Sequence, residues 1–117
     1  MSVLVSEETW VELGAVTSIP RLGARVLKRE GGDIAVFRNG EDEVFALLNR
    51  CPHKGGPLSE GIVYGRTVAC PLHNLCMDLS TGQAKAPDEG CAATFPVRIE
   101  DGRVLVSLEP DALPADP

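Results

Sequence analysis

Two short segments of this chain each combine one cysteine with one histidine. The first is Cys51-Pro-His53 and the second is Cys70-Pro-Leu-His73, with 16 residues between His53 and Cys70. Together they contain both histidines and half of the four cysteines in the 117-residue chain. Because thiolates and imidazoles are common ligands of zinc and iron, the spacing predicts a metal site formed by Cys51, His53, Cys70 and His73.

The pairing of these ligands favours an iron–sulfur cluster over zinc. In Cys2His2 zinc sites the two cysteines usually lie together in sequence and the two histidines likewise, whereas here each segment supplies one of each. In one kind of [2Fe–2S] cluster, two histidines replace two cysteines on one iron. A zinc-stabilised interaction module is an alternative, and four buried residues without a metal are another. No catalytic residues are predicted beside the metal ligands.

The elements expected to position these segments are short β-strands. The 12 Gly and 9 Pro indicate many turns. Asn39-Gly40 predicts a hairpin because both residues tolerate positive φ, and Pro96 predicts an edge strand or a strand start. The expected fold is all-β, with no helix longer than a turn or two except near Glu7 or residues 87–90. Apolar alternation and β-branched runs predict strands at residues 10–13, 24–28, 33–38, 43–48, 61–65, 67–69, 75–79, 95–100 and 103–108.

Charge and hydropathy exclude several functional classes. The formal charge is −6 and no basic run is longer than Lys28-Arg29, which disfavours a nucleic-acid partner. No apolar stretch approaches the roughly 18 residues of a membrane span, and the first residues lack the pattern of a signal peptide. We expect a cytoplasmic protein with one domain at residues 1–109 and a flexible tail at 110–117. Cys76 and Cys91 are interpreted as small buried hydrophobic residues.

The chain resembles the Rieske family over about residues 10–108. The resemblance rests on the two ligand segments, on Gly55-Gly56-Pro57-Leu58 and on Asp78-Leu-Ser-Thr-Gly82. It implies an antiparallel β-sandwich with a small cluster-binding lobe formed by the two metal loops. It also implies one [2Fe–2S] cluster of the Rieske type per chain, with Cys51 and Cys70 on one iron and His53 and His73 on the other.

The chain departs from the Rieske proteins of cytochrome complexes at four positions. Gly56 and Leu72 stand where those proteins have a disulfide, and Leu75 and Met77 stand where they have Ser and Tyr hydroxyls. Fewer hydrogen bonds to sulfur predict a potential near the low end of the Rieske range of roughly −150 to +300 mV.

Within the family, the sequence is most similar to the small subunit of assimilatory NAD(P)H-dependent nitrite reductase. That resemblance uses both ligand segments and Ala86-Pro-Asp-Glu-Gly-Cys91. It implies an electron-transfer subunit, not catalytic by itself, whose partner is a large subunit carrying flavin, siroheme and a further iron–sulfur cluster, or another redox protein. The alternative is a stand-alone Rieske ferredoxin that delivers electrons to an aromatic-ring-hydroxylating oxygenase.

Overall fold

The computed structural model describes residues 10–29, 32–50, 57–70, 76–85 and 90–108. Within these ranges it contains ten strands and two short 3-10 turns, at Val16–Ser18 and Leu58–Glu60. No helix in these ranges is long and apolar enough to cross a lipid bilayer. The strands are β1 Trp10–Ala15, β2 Gly23–Leu27, β3 Ile34–Arg38, β4 Val44–Leu48, β5 Ile62–Tyr64, β6 Thr67–Ala69, β7 Cys76–Asp78, β8 Thr94–Phe95, β9 Val97–Glu100 and β10 Arg103–Ser107.

The strands form three sheets in which every pairing is antiparallel. The outer sheet has the order β1-β10-β9, the central sheet β2-β3-β4-β8, and the small sheet β5-β6-β7. The all-β, antiparallel fold predicted from the sequence is thereby confirmed. The small sheet leads into the predicted lobe, because Cys70 directly follows β6, while the metal loops at residues 51–56 and 71–75 lie outside the described residues.

The central sheet is buried on both faces, which explains the continuous apolar run of β3. Side chains alternate between the faces of a strand, so Ile34 and Val36 enter one core while Ala35 and Phe37 enter another. The base core, between the central and outer sheets, contains Ile19, Ile34, Val36, Ala46, Phe95, Val104 and Val106. The lobe core, between the central and small sheets, contains Ala35, Phe37, Leu47, Leu58, Val63, Val68, Cys70, Met77, Leu79 and Ala92.

The structure refines two of the predictions made from sequence. The hairpin between β3 and β4 is confirmed, but its left-handed residue is Asp42 with φ 65° rather than Asn39 or Gly40. Asn39 acts through its side chain, which accepts hydrogen bonds from the backbone N–H groups of Glu41 and Glu43. Pro96 divides the predicted strand 95–100, because Phe95 pairs with the central sheet and residues 97–100 form the edge of the outer sheet.

Candidate metal centre

Cys70 is the predicted ligand that lies within the described residues. It follows Ala69, the last residue of β6, and its side chain is fully buried in the lobe core. Because β6 is hydrogen-bonded to β5 on one side and β7 on the other, the backbone that leads into Cys70 is fixed from both sides. Cys51, His53 and His73 lie outside the described residues, so their role as ligands stays a prediction.

The second ligand segment begins and ends at one end of the small sheet. Ala69, which precedes Cys70, pairs with Cys76 at the start of β7. The carbonyl of Cys76 accepts a hydrogen bond of 2.8 Å from the N–H of Lys85, which ties the start of β7 to the following segment. Residues 70–75, which include His73, are therefore bounded at both ends by paired strands.

The first ligand segment is closed by a hydrogen bond between its flanks. The Ser59 N–H donates to Oδ1 of Asn49 at 2.8 Å, which joins the residues before and after 51–56. Asn49 is in turn attached to the central sheet, because its N–H donates to the Asp33 carbonyl at 2.9 Å. The residues on either side of segment 51–56 are therefore close neighbours.

The flanks of the two segments meet at Gly61. A Cβ atom on Gly61 would lie only 2.3 Å from the carbonyl oxygen of Ala69, so the two backbones are in direct contact. Ala69 is the neighbour of Cys70, and Gly61 follows the turn that ends the first segment. This contact brings the flanks of the two ligand segments together, as a site with four ligands from two loops requires.

The other positions singled out by the sequence have mixed outcomes. Met77 is fully buried in the lobe core, and its replacement of a hydroxyl near the cluster stays a prediction. Cys76 is half-buried, whereas Cys91 is exposed, so the prediction that Cys91 is buried is wrong. Cys91 pairs with Gln83 in an isolated bridge and is not among the buried residues that form the lobe core, as Met77 is. Gly56, Leu72 and Leu75 lie outside the described residues.

Sequence reasoning missed a contact between Tyr64 and Cys76. The Tyr64 hydroxyl lies 3.3 Å from Sγ of Cys76, and this hydrogen bond raises the pKa of Tyr64. The two residues are 12 positions apart in the chain, so no local pattern pairs them. The signal available in sequence was the alternation in β5, which places Ile62 and Tyr64 on one face.

A hydrogen-bond network of three side chains, Asn39, Glu43 and Arg66, joins the lobe to the rest of the fold. Nδ2 of the buried Asn39 donates to Oε1 of Glu43 at 2.8 Å and to the Gly65 carbonyl at 3.0 Å. Arg66 donates through Nε and Nη2 to the two carboxylate oxygens of Glu43. The hydrogen bonds from Arg66 and then Asn39 lower the pKa of Glu43 to about 2. These contacts connect the β3–β4 turn to the tip of the β5–β6 hairpin.

No other metal or catalytic group is evident among the described residues. In those ranges, no three His, Cys, Asp or Glu side chains gather as a metal site would require. An open groove of about 590 Å³ lies beside the hairpin tip, lined by residues that include Leu22, Tyr64 and Gly65. Gly65 is at the opposite end of the hairpin from Cys70, so the groove lies away from Cys70.

Several curated relatives of this chain are ferredoxin components of dioxygenase systems. The ferredoxin component of the naphthalene 1,2-dioxygenase system of Pseudomonas aeruginosa is 35% identical over 102 residues, which cover 86% of this chain and 97% of the relative. The anthranilate 1,2-dioxygenase ferredoxin subunit of Burkholderia cepacia is 41% identical over 102 residues, covering 85% and 92%. Both relatives are matched over nearly their whole length.

Solved structures show the same fold in two functional settings. A chain in the complex of reduced oxygenase and oxidized ferredoxin of carbazole 1,9a-dioxygenase superposes with a TM-score of 0.80 at 28% identity, covering 89% of this chain and 97% of that one. A chain described as an NADH-dependent nitrite reductase small subunit of Mycobacterium tuberculosis gives a TM-score of 0.75 at 25% identity, covering 84% and 93%.

These comparisons correct the function predicted from sequence. Assignment to the small subunit of nitrite reductase, with its flavin and siroheme partner, is wrong, because the curated relatives are ferredoxin components of dioxygenase systems. The reason is that both protein classes share this fold and the assignment depended on a six-residue stretch at 86–91. Residues 86–89 of that stretch lie outside the described ranges.

The domain itself is identified over most of its length. The model of the Rieske-like [2Fe-2S] domain matches residues 9–107, which include all ten strands and both ligand segments. The [2Fe–2S] cluster of this domain fits a donor set of two thiolates and two imidazoles. The chain therefore belongs to the Rieske-like [2Fe-2S] family and is an electron-transfer protein with a Rieske [2Fe–2S] cluster.

Proposed function

We propose that this protein is a stand-alone Rieske ferredoxin that delivers electrons to the oxygenase of an aromatic-ring dioxygenase system. The observation that carries the proposal is the near-complete coverage of ferredoxin components by this chain. An oxygenase with a Rieske domain would be covered only in part, as the oxygenase component of chloroacetanilide N-alkylformylase is, at 26% of its length. The match to ferredoxin components therefore covers more of the relatives' own length than the match to that oxygenase does.

The proposed ligands are Cys51 and Cys70 for one iron and His53 and His73 for the other. The donor set supports this, and so does the contact of Gly61 with Ala69, which brings the flanks of the two ligand segments together. When bound, a [2Fe–2S] cluster takes up and releases one electron at a time. The protein's part is to hold the ligands: full burial of Cys70 excludes water from its side chain, and paired strands bound its loop.

The charge of the chain suits a carrier that meets its partner by diffusion. With 17 acidic and 11 basic residues the formal charge is −6. Such a charge favours encounter with a partner surface that is positive near its electron-accepting group, because complementary fields raise association rates. We therefore propose an oxygenase with a basic docking surface as the electron acceptor.

The ligand set is tested by substitution and redox titration. We expect the wild-type protein, prepared anaerobically, to show the spectrum of a histidine-ligated [2Fe–2S] cluster and a potential within roughly −150 to +300 mV. Cys51→Ser and Cys70→Ser should lose the cluster, while Cys91→Ser, which changes an exposed thiol, is the matched control and should keep it. A colourless zinc protein, or a potential near −400 mV as in all-cysteine ferredoxins, would contradict the proposal.

A separate substitution tests His53 as a ligand. His53→Cys replaces a neutral imidazole by an anionic thiolate, so the potential should fall if the cluster assembles. An unchanged potential in a protein with full iron content would argue against His53 as a ligand.

The partner is tested by direct electron transfer. Reduced protein is mixed anaerobically with the oxidised oxygenase component of a ring-hydroxylating dioxygenase from the same host, and its re-oxidation is followed by absorbance. We expect re-oxidation to be faster with the oxygenase than with buffer or with an unrelated redox protein. Rates that are equal in all three mixtures would refute the proposed partner and leave the ligand assignment standing.

A further inference from the structure

The outer face of the small sheet is organised in two rows across its strands. One row is formed by Ile62, Ala69 and Cys76, which are direct partners in the antiparallel register. The other is formed by Tyr64, Thr67 and Asp78. The first row is the one next to the ligand segments, because Ala69 precedes Cys70 and Cys76 follows residues 71–75.

The side chain of Tyr64 reaches across the small sheet from β5 to β7, and thus from one row to the other. It stands on β5 whereas Cys76 stands on β7, and β6 lies between them. Its hydroxyl nevertheless lies 3.3 Å from Sγ of Cys76, so the side chain crosses the strand that leads into Cys70. The Tyr64 residue remains half exposed, at 50%, which means that lobe-core packing alone does not hold the ring in place.

We propose that Tyr64 is a positioning residue whose hydroxyl clamps Cys76 and thereby fixes the end of the loop that carries His73. The inference rests on the proposed ligand set. Because Cys76 pairs with Ala69, the same clamp resists separation of β6 and β7 beside Cys70. The expected consequence is a slower separation of β6 from β7 beside Cys70 and a slower loss of iron.

The size of the effect follows from the contact. A single uncharged hydrogen bond makes a modest net contribution to stability, and its loss corresponds to a change of roughly 2- to 10-fold in an opening equilibrium. Tyr64→Phe removes the hydroxyl and keeps the ring, so it isolates this contribution from the packing of the aromatic side chain.

The test compares hydrogen exchange and iron loss in matched variants of the full-length holoprotein. We expect Tyr64→Phe to speed amide exchange at Ala69 and Cys76 by roughly 2- to 10-fold and to speed iron release to a chelator by a similar factor. Cys76→Ala should reproduce both effects, whereas Cys76→Ser, which keeps a hydrogen-bonding group, should restore most of the protection. Ile99→Ala, a change on the outer sheet at an apolar residue that is 47% exposed, is the control and should alter neither rate.

The outcomes separate this proposal from the proposed ligands. Unchanged amide exchange in Tyr64→Phe would overturn the clamp. Faster exchange with unchanged iron release and an unchanged EPR spectrum would also overturn it, since the contact would then be structural without acting on the metal site. If the wild-type protein shows no histidine-ligated cluster, the ligand assignment fails and the clamp fails as a metal-positioning device, even where the exchange rates differ.

Discussion

Replacing Gly61 by alanine should disturb the metal site by forcing its two flanking segments apart. Gly61 has φ −80° and ψ 177°, angles that alanine adopts without strain, so only space is at issue. The new Cβ would lie 2.3 Å from the Ala69 carbonyl oxygen and 2.9 Å from Cγ2 of Val68. Raising the first contact to even 3.0 Å requires a displacement of about 0.7 Å at the residue before Cys70.

The energetic cost can be judged from the rigidity of the surroundings. Val68 is fully buried in the lobe core and β6 is paired on both sides, so the strand has little freedom to yield. Overpacking of a well-packed interior typically costs about 1–3 kcal/mol. If that cost falls on the loop flanks, cluster retention should weaken by roughly 5- to 150-fold.

The assay measures iron release and unfolding side by side. We expect Gly61→Ala to lose iron to a chelator much faster than the wild type, while unfolding reported by the fluorescence of Trp10 in the outer sheet changes less. Gly40→Ala is the matched control, because its Cβ would meet only Cδ2 of Leu22 at an ordinary 3.6 Å and its φ is not positive. Iron release at the wild-type rate in Gly61→Ala would refute the view that this contact sets the spacing of the ligand segments.

Three further predictions concern the rest of the molecule. Asn39→Ala removes a buried side chain with four hydrogen bonds and should lower the free energy of unfolding by about 2–4 kcal/mol in urea titrations; a loss below about 1 kcal/mol would contradict this. The pKa of Glu43 is about 2 instead of 4.5, so its ion pair with Arg66 stabilises the fold above pH 4.5 and this stability is lost as the pH falls toward 2. In Glu43→Gln, the urea midpoint should fall less than in the wild type as the pH is lowered from 4.5 toward 2. A fall as steep as in the wild type would count against the ion pair. Raising ionic strength from about 0.02 to about 0.3 M should slow electron transfer to the oxygenase several-fold in stopped-flow absorbance; an unchanged rate would exclude electrostatic steering.

Most strands could be predicted because their signal is local. The alternation in β1 and the β-branched run of β3 depend on residues next to each other in sequence, and the structure places strands at both. Pro96 likewise predicted a strand start, since proline cannot donate to a sheet ladder. Its larger consequence, the passage of the chain from the central to the outer sheet at that residue, depends on partners far away in sequence.

Details that depend on distant contacts were not predictable in the same way. Asn39 shapes its turn through side-chain hydrogen bonds and reaches Gly65 in another sheet, so the dipeptide Asn39-Gly40 indicated a turn but not its geometry. The contact between Tyr64 and Cys76 requires knowledge of the order β5-β6-β7. The exposure of Cys91 likewise depends on what packs over the edge of the lobe.

The candidate site was predictable by type, and the partner was not. The pairing of one thiolate with one imidazole in each segment favoured an iron–sulfur cluster over zinc, and the match to the Rieske-like [2Fe-2S] domain supports that cofactor. The partner is chosen by the surface of the whole domain, and a dioxygenase ferredoxin and a nitrite reductase small subunit present the same fold. A six-residue similarity outside the ligand segments therefore led to the wrong class.

The two-sided burial of β3 has a consequence for how the chain finds its native alignment. If β3 slipped by one residue against its neighbours, Ile34 and Val36 would exchange cores with Ala35 and Phe37, and every exchanged side chain would still be apolar. Polarity alone therefore cannot reject the slipped state, although the exchanged volumes would leave one core overfilled and the other with a void. The guanidinium of Arg38, which donates to the Ile19 carbonyl and to Asp42, anchors the strand end that such a slip would displace. Substitution of Arg38 would therefore remove contacts that hold β3 in its native register.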